Sequence, residues 1–143
     1  MDTPTDPQEL VAAMPYSRVN GVMVDEARAD LVTGRIRWSP ERTTAGGDLH
    51  GSALLTLADS LGQICALLNL PPGAGTTTLG CSSQFFRGIR GGDAHATTRP
   101  IHVGRRTLVV QTDIRDDDGR PVAQMTQTQA VLVDALPMGA LMA

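Results

Sequence analysis

The segment GGDLHGSALLTLADSLGQICALLNL, residues 46–70, decides the fold of this chain. It opens with two glycines and a histidine and then continues for about five helical turns without a proline. On a helical wheel one narrow stripe is polar and consists of Ser52, Thr56, Asp59 and Gln63. Apolar side chains cover almost all the rest, and a helix of that kind must be buried. We therefore predict a long central helix with Asp59 inside its buried surface, where a carboxylate is costly unless it is paired or used.

His50 and Asp59 are nine residues apart. On one regular helix this spacing leaves them half a turn out of phase, so the two side chains would point to opposite sides. One copy of the helix could then not easily aim both at a single substrate, whereas two copies side by side in a dimer could. The argument does not apply if His50 stands just before the first turn.

Length and composition fit one globular domain. A chain of 143 residues, 41% of them hydrophobic, is long enough for a single core. The net charge of -3 gives no general attraction to nucleic acid or to an acidic membrane. All 12 basic residues are arginine, which suits phosphate binding, although a GC-rich genome explains the bias more simply.

No segment predicts export or membrane insertion. The acidic, polar N-terminus is neither a secretory signal nor a transit peptide. Polar residues from Asp59 to Asn69 make membrane insertion of the central segment expensive. Cys65 and Cys81 form no CxxC pair or Cys/His cluster, so we expect packing residues and no metal site. We predict a soluble, cytoplasmic protein.

Two strands are predicted before the central helix and four after it, with one short helix at the start. The short helix is residues 7–14 and the strands are residues 19–26, 29–38, 76–87, 94–103, 106–115 and 122–133. Residues 1–6 are expected to be disordered, 7–133 to form the domain and 134–143 a tail. Strands grouped in this way predict an α+β fold, with an antiparallel sheet curled around one helix.

The run HGSALLTLAD, residues 50–59, resembles the H-G-G-x-x-x-x-L-x-D signature of hotdog-fold acyl-CoA thioesterases of the phenylacetate-pathway (PaaI) type. The runs FFR, residues 85–87, and HVGRRT, residues 102–107, resemble that family's strand after the helix and its coenzyme A-facing turn. The resemblance implies the hotdog fold, a curved antiparallel β-sheet wrapped around one long central helix. It also implies a homodimer, often paired into a homotetramer, with sites at the dimer interface built from both chains.

The resemblance further implies hydrolysis of an acyl-CoA thioester, without a metal or redox cofactor. Asp59 would be the general base or the nucleophile, and the sequence leaves both open. Without the family, an aspartate paired with a nearby arginine is the simpler interpretation. The backbone N–H of Gly51 would polarise the carbonyl at the helix N-terminus. His50 would orient the loop or help to polarise the carbonyl, although a purely structural histidine is an equal alternative.

Two further polar residues belong to the predicted catalytic group. Gln63 follows Asp59 by one helical turn, where it could help to position water. Thr78 aligns with a serine or threonine that supports the attacking group in the family, and Thr77 is nearly as good a candidate. Ser52, in place of the second glycine of the signature, could cap the helix or face the acyl pocket.

One departure from the family pattern concerns the position six residues before the histidine. The family usually has Asn or Gln there, and this chain has Thr44, which lacks the amide NH₂ donors. The replacement motivates an alternative function, a non-catalytic acyl-CoA-binding protein. A hotdog-fold enoyl-CoA hydratase or dehydratase is a second alternative, but those enzymes resemble a pattern with Asp and His closer together.

Positive charge for the phosphates of coenzyme A is predicted at one strand turn. Gly104, Arg105 and Arg106 lie there, and charge-assisted arginine–phosphate bonds are among the stronger polar contacts. Arg87 is a further candidate, whereas Arg90 is expected to be an ordinary surface residue. The acyl group itself is not predicted, because the few aromatic residues favour no particular substrate.

Overall fold

The computed structural model describes residues 6–133. The expectations for residues 1–5 and for the tail at 134–143 therefore lie outside the described part of the chain. The elements in chain order are α1 (Pro7–Ala12), α2 (Pro15–Val19), β1 (Met23–Arg28), β2 (Leu31–Arg37), α3 (Gly51–Leu68), β3 (Gly75–Phe85), β4 (Asp93–Val103), β5 (Thr107–Arg115) and β6 (Pro121–Leu132). A short 3₁₀ turn at Pro40–Arg42 lies between β2 and α3.

The six strands form one antiparallel sheet in the order β1-β2-β4-β5-β6-β3. β3 follows α3 directly but pairs with β6, so it forms the edge opposite β1. The long helix packs against the sheet through Leu57, Leu61 and Ile64, none of which is exposed to solvent. Each such side chain contributes about 1.5–3 kcal/mol of burial free energy. The predicted α+β hotdog architecture is confirmed.

The helix α3 is not buried all round, and the expectation that Asp59 lies inside its buried surface is wrong for the single chain. The sheet covers the apolar faces, while Ser52 and Asp59 on the polar stripe are exposed. Within residues 6–133, α3 is a helix long and apolar enough to cross a membrane, with 18 residues and a mean hydropathy of 1.4. Half of it is buried inside the fold, and packing against the sheet accounts for that hydropathy.

The predicted strand at residues 19–26 is wrong in its first half. Val19 ends α2, and β1 begins only at Met23. Pro15 occupies the first turn of α2, and Gly21 follows the helix with φ +82°, a conformation that favours glycine. A proline at the start and a glycine just past the end mark a short helix, and that signal was in the sequence.

The two cysteines differ in their surroundings. Cys65 is buried between α3 and the sheet, as expected of a packing residue, and burial raises the pKa of its thiol to about 11. Cys81 is exposed on β3, so its expected packing role is wrong. β3 is an edge strand, and much of its length is uncovered in the single chain.

Candidate active site

A cavity of about 520 Å³ opens beside the polar stripe of α3. Side chains from α2, α3, β3 and β6 form its wall. Three of the predicted site residues, Asp59, Gln63 and Thr78, line it together, as does the alternative Thr77. The structure therefore brings most of the predicted catalytic group into one cavity.

The carboxylate of Asp59 lines this cavity and is hydrogen-bonded to the side-chain amide of Gln127 on β6. Its Oδ1 accepts a hydrogen bond from Nε2 of Gln127 at 2.6 Å. Within residues 6–133 no arginine forms an ion pair with Asp59, so the simpler interpretation of Asp59 as half of a structural Asp–Arg pair is not supported. Desolvation by the surrounding protein raises the pKa of Asp59, and the hydrogen bond from Gln127 opposes part of that rise. A carboxylate with raised proton affinity in a cavity is suited to accept a proton from water.

The first turn of α3 leaves one backbone donor free. His50 is the N-cap: its Nδ1 accepts from the N–H of Ser52 at 3.0 Å, and its carbonyl accepts from Ala53 and Leu54 at 2.8 and 3.3 Å. The N–H of Gly51, the first helical residue, has no acceptor one turn earlier in the helix. Across the described residues it donates no hydrogen bond. This N–H therefore remains available to bind a developing negative charge at the helix N-terminus.

His50 and Asp59 do not lie on one regular helix. The backbone of His50 is extended, with φ −62° and ψ 139°, so the helical-wheel argument does not apply to it. His50 and Ser52 line a second cavity of about 180 Å³, which shares Tyr16 and Thr56 with the cavity of Asp59. The expectation that the two side chains point to opposite sides of one helix therefore does not hold. Asp59 and His50 instead line two neighbouring cavities.

Two buried glutamines of β6, Gln127 and Gln129, escaped the sequence analysis. Both are at most 1% exposed. Nε2 of Gln129 donates to Oγ1 of Thr78 at 2.7 Å, while its Oε1 accepts from Thr76 at 3.2 Å. A hydroxyl oxygen that accepts from an amide keeps its own proton to donate. Thr78 can thus donate to a group in the cavity. The only signal in the sequence was two amides at alternate positions of an otherwise inward-facing apolar row.

Thr44 shares neither cavity with Asp59 or His50. It lies in a loop, where its N–H donates to the carbonyl of Asp48 and its carbonyl accepts from Gly47. Nothing in the described residues brings its hydroxyl to the cavity wall. The structure thus separates Thr44 from the groups that the family pattern would place beside it.

The arginines of the strand turn lie apart from the Asp59 cavity. Arg105 and Arg106 are exposed and, with Val131 and Val133, line a surface cavity of about 490 Å³. The N–H of Gly104 is already bonded to the carbonyl of Thr107 at 2.9 Å, so this glycine shapes the turn rather than offering a donor.

Arg87 and Arg90, the two other arginines considered in the sequence analysis, differ in their surroundings. Arg87 is exposed after β3 and lines neither the Asp59 nor the His50 cavity. Arg90 lies 3.2 Å from Asp48 and is an ordinary surface ion pair, as expected.

A cluster that the sequence did not indicate lies on the sheet surface. Possible ligand atoms of Asp93, His95 and Asp117 lie within 4.8 Å of one another. Arg35 and Arg37 approach the Asp93 carboxylate at 3.8 and 3.5 Å, and His95 contacts Asp117 at 2.7 Å. Oδ1 of Asp93 has no hydrogen-bond partner among the described residues, but the two nearby arginines make this cluster an ion-paired patch of the surface.

A family model described as the thioesterase superfamily matches residues 46–123, from the glycines ahead of α3 into β6. An esterase-named protein of Vibrio cholerae is 35% identical over 85 residues, 59% of this chain and 57% of the relative. A 1,4-dihydroxy-2-naphthoyl-CoA hydrolase of Escherichia coli is 31% identical over 86 residues, 60% of this chain and 63% of the relative. The chain thus matches less than two thirds of the length of these curated relatives.

Among solved structures, a mutant thioesterase from Pseudomonas aeruginosa superposes with a TM-score of 0.85 and 27% sequence identity. The superposition covers 91% of this chain and 96% of the other. The agreement therefore extends over nearly the whole described fold. The narrower phenylacetate-pathway type remains a prediction.

Proposed function

This chain belongs to the thioesterase superfamily, and from that premise we propose that it hydrolyses an acyl-CoA thioester to a free carboxylic acid and coenzyme A. One observation carries the proposal: Asp59, at the acidic position of the signature, lies in a cavity with Gln63 and Thr78 and has a raised pKa. Polar groups and a perturbed carboxyl in one cavity are typical of a catalytic site. The relative that acts on a naphthoyl-CoA supports coenzyme A as the leaving group.

In the general-base form of the reaction, Asp59 takes a proton from water as the water oxygen attacks the thioester carbonyl. Gln63 and the hydroxyl of Thr78 would position that water. The tetrahedral intermediate then collapses, the carbon–sulfur bond breaks, and the leaving thiolate takes up a proton. In the nucleophilic form, the Asp59 carboxylate attacks the carbonyl itself, the carbon–sulfur bond breaks and the coenzyme A thiolate leaves and takes up a proton. Water then hydrolyses the resulting anhydride, which releases the carboxylic acid and restores Asp59. Neither form requires a metal or redox cofactor.

The carbonyl oxygen needs a donor, and we assign this role to the free N–H of Gly51. Oxyanion donors act at about 3 Å from the oxygen they stabilise. Gly51 precedes Asp59 by eight residues on the same helix, which corresponds to about 12 Å along its axis. One copy of α3 therefore does not deliver both groups to the same carbonyl. A second copy, oriented so that its Gly51 approaches this Asp59, would do so.

The edge strand β3 supports such a homodimer. It pairs on one side with β6, and its other edge has no strand partner among the described residues. The side chains of Leu79 and Phe85 are 63% and 50% exposed. A long edge strand with unpaired backbone groups and two exposed apolar side chains favours pairing with another chain. His50 and Ser52 would then face substrate from the partner's side of the site, and tetramers would form by pairing of dimers.

For the nucleotide end of the substrate, we propose that Arg105 and Arg106 bind phosphate groups of coenzyme A. Both side chains are exposed and line one cavity, where bidentate arginine–phosphate contacts can form. Arg87 and Thr44 remain weaker candidates for substrate contacts, because neither lines the cavity of Asp59. We propose a cytoplasmic enzyme with a small-molecule substrate and no nucleic-acid or membrane partner.

Thiol release from a panel of aryl- and fatty-acyl-CoA thioesters tests this function. We expect turnover by the wild type and a loss of about 10²–10⁴-fold in Asp59→Asn. Asp113→Asn is the matched control, because Asp113 also accepts a hydrogen bond from a glutamine, Gln124, but lies outside the cavity. Turnover of no thioester, or an Asp59→Asn variant as fast as wild type, would contradict the proposal.

The same preparation separates the two alternative functions. Tight acyl-CoA binding in calorimetry without thiol release would favour a binding protein. Loss of the conjugated absorbance of an enoyl-CoA without thiol release would favour a hydratase.

A further inference from the structure

The amide of Gln127 is the one described hydrogen-bond partner of the Asp59 carboxylate. Gln127 projects from the inward face of β6 and is 1% exposed. Its Nε2 lies 2.6 Å from Oδ1 of Asp59, and within residues 6–133 Oδ2 of Asp59 accepts no hydrogen bond. One carboxylate oxygen is therefore anchored, and the other is free to face the cavity.

The position of this amide depends on a glycine in the helix. A Cβ on Gly62 would lie 1.6 Å from Oε1 of Gln127 and 2.7 Å from its Cδ. Only the missing side chain leaves room for the amide beside α3. A glycine inside a helix is unfavourable for the helix itself. Gly62 therefore makes room for the amide of Gln127 although a glycine at this position lowers the stability of the helix.

The amide makes its contact at a cost. Oε1 of Gln127 is buried and has no hydrogen-bond partner in the described part of the chain. A buried, unsatisfied carbonyl is unfavourable, and an apolar side chain of similar size would avoid it. Stability of the fold alone therefore does not explain why a glutamine occupies position 127. The nitrogen faces Asp59 because the reversed amide would bring its oxygen against the carboxylate.

The electrostatic surroundings of Asp59 give this neutral donor its importance. The other titratable groups on the cavity wall are Tyr16 from α2 and Cys81 from β3; α3 and β6 contribute none besides Asp59 itself. No arginine or histidine of the described residues lines the wall. A hydrogen bond donated to the charged form favours ionisation without bringing a positive charge that would weaken the base.

We propose that Gln127 is a positioning residue for Asp59, fixing one carboxylate oxygen so that the other faces the substrate and keeping the carboxylate ionised. Its role in catalysis rests on the proposed function of Asp59, whereas its effect on the carboxylate does not. Gln127 itself touches no substrate.

The variant Gln127→Met tests the role, since methionine is close in length and lacks the amide. We expect kcat/KM to fall on the order of tenfold on the acidic side of the pH profile and less on the alkaline side, because the pKa of Asp59 rises. Gln124→Met is the matched control, because Gln124 donates to Asp113 at 2.9 Å on the opposite face of the strand. The control should retain the wild-type profile.

A second variant, Gly62→Ala, reaches the same contact from the helix. The added Cβ displaces the amide while Gln127 remains in the sequence. We expect the acidic limb of the profile to move in the same direction as in Gln127→Met. An unchanged profile in both variants, or lower thermal stability as their only effect, would overturn the proposal.

A readout independent of turnover separates this inference from the proposed function. The carboxyl carbon of Asp59 can be titrated by ¹³C NMR and assigned by its loss in Asp59→Asn. We expect a higher pKa in Gln127→Met than in wild type, whether or not either protein hydrolyses a thioester. An unchanged pKa would overturn the positioning role. A raised pKa in a protein without thioesterase activity would contradict the proposed function alone.

Discussion

The free N–H of Gly51 can be removed without removing any side chain. In Gly51→Pro a ring carbon replaces the N–H hydrogen. Proline is favoured at the first position of a helix, where its missing donor is not needed by the helix. The preceding residue His50 has φ −62° and ψ 139°, an extended conformation that a following proline requires. The substitution therefore fits the local backbone.

The expected magnitude follows from the number of donors lost. Removal of one oxyanion donor lowers kcat by about 10²–10³-fold, equivalent to roughly 2.7–4 kcal/mol of transition-state stabilisation. The folded state should lose no stability, since a compatible proline restricts the unfolded chain and adds about 0.4–1 kcal/mol. The substrate KM should change little if the donor acts mainly on the transition state.

The matched control is Gly51→Ala, which retains the N–H. Its Cβ would lie 3.6 Å from the ring of Phe85, an ordinary van der Waals contact. We expect kcat within a few-fold of wild type. The assay is steady-state thiol release with the best thioester of the panel, accompanied by a thermal melt of each variant. A proline variant with wild-type kcat, or an alanine variant as slow as the proline variant, would refute the reasoning.

Three further predictions concern stability and substrate binding. Because desolvation raises the pKa of Asp59, its ionised form is disfavoured in the folded state; the stability linked to its protonation is lost as the pH rises through the folded pKa. Near neutral pH the free energy of unfolding of Asp59→Asn should thus exceed that of wild type, by less than about 1 kcal/mol because the carboxylate is exposed. This difference should disappear in acid, and an equal difference at every pH would disprove the linkage. Ser17→Ala removes a buried 2.6 Å hydrogen bond between α2 and Ser60 and should cost about 1 kcal/mol in urea unfolding, whereas an unchanged midpoint would show that the contact is dispensable. Arg105→Ala should raise KM several-fold for an acyl-CoA, more at low salt, and leave KM unchanged for an acyl-N-acetylcysteamine that lacks the phosphates; equal effects on both thioesters would argue against phosphate binding.

The elements that carry a long periodic pattern were predictable from the sequence. The helix α3 and the four strands after it follow from apolar periodicity and from glycine-rich turns. The observed ends of these four strands lie within two residues of the predicted ones, and α3 lies inside the predicted segment 46–70. The five-residue helix α2 was missed because it is too short to establish a helical period. Its proline and glycine were the only signals.

The pairing of β3 with β6 was not predictable from the order of the elements. The strand sequence alone does not say that β3 crosses the helix to the far edge of the sheet. That placement brings Thr78 into the cavity wall, and the resemblance rather than the strand pattern indicated it.

The site was predictable where the chemistry is local to the signature. Asp59, Gln63 and Gly51 lie on one helix, so their relation follows from helical geometry. Gln127 is separated from Asp59 by 68 residues, and only the tertiary fold brings the two together. His50 was misplaced for a different reason. It lies just before the helix with an extended backbone, so its direction cannot be read from a helical wheel.

Subunit mixing tests the central claim, that Asp59 of one copy and Gly51 of another act on the same thioester. Gly51→Pro and Asp59→Asn proteins, each severely impaired alone, are mixed under conditions in which subunits exchange, with exchange followed by mass spectrometry. Random exchange makes half of the dimers mixed, and each mixed dimer has one intact site, so thiol release should recover to about a quarter of the wild-type rate. Verified exchange without any recovery of thiol release would contradict the account.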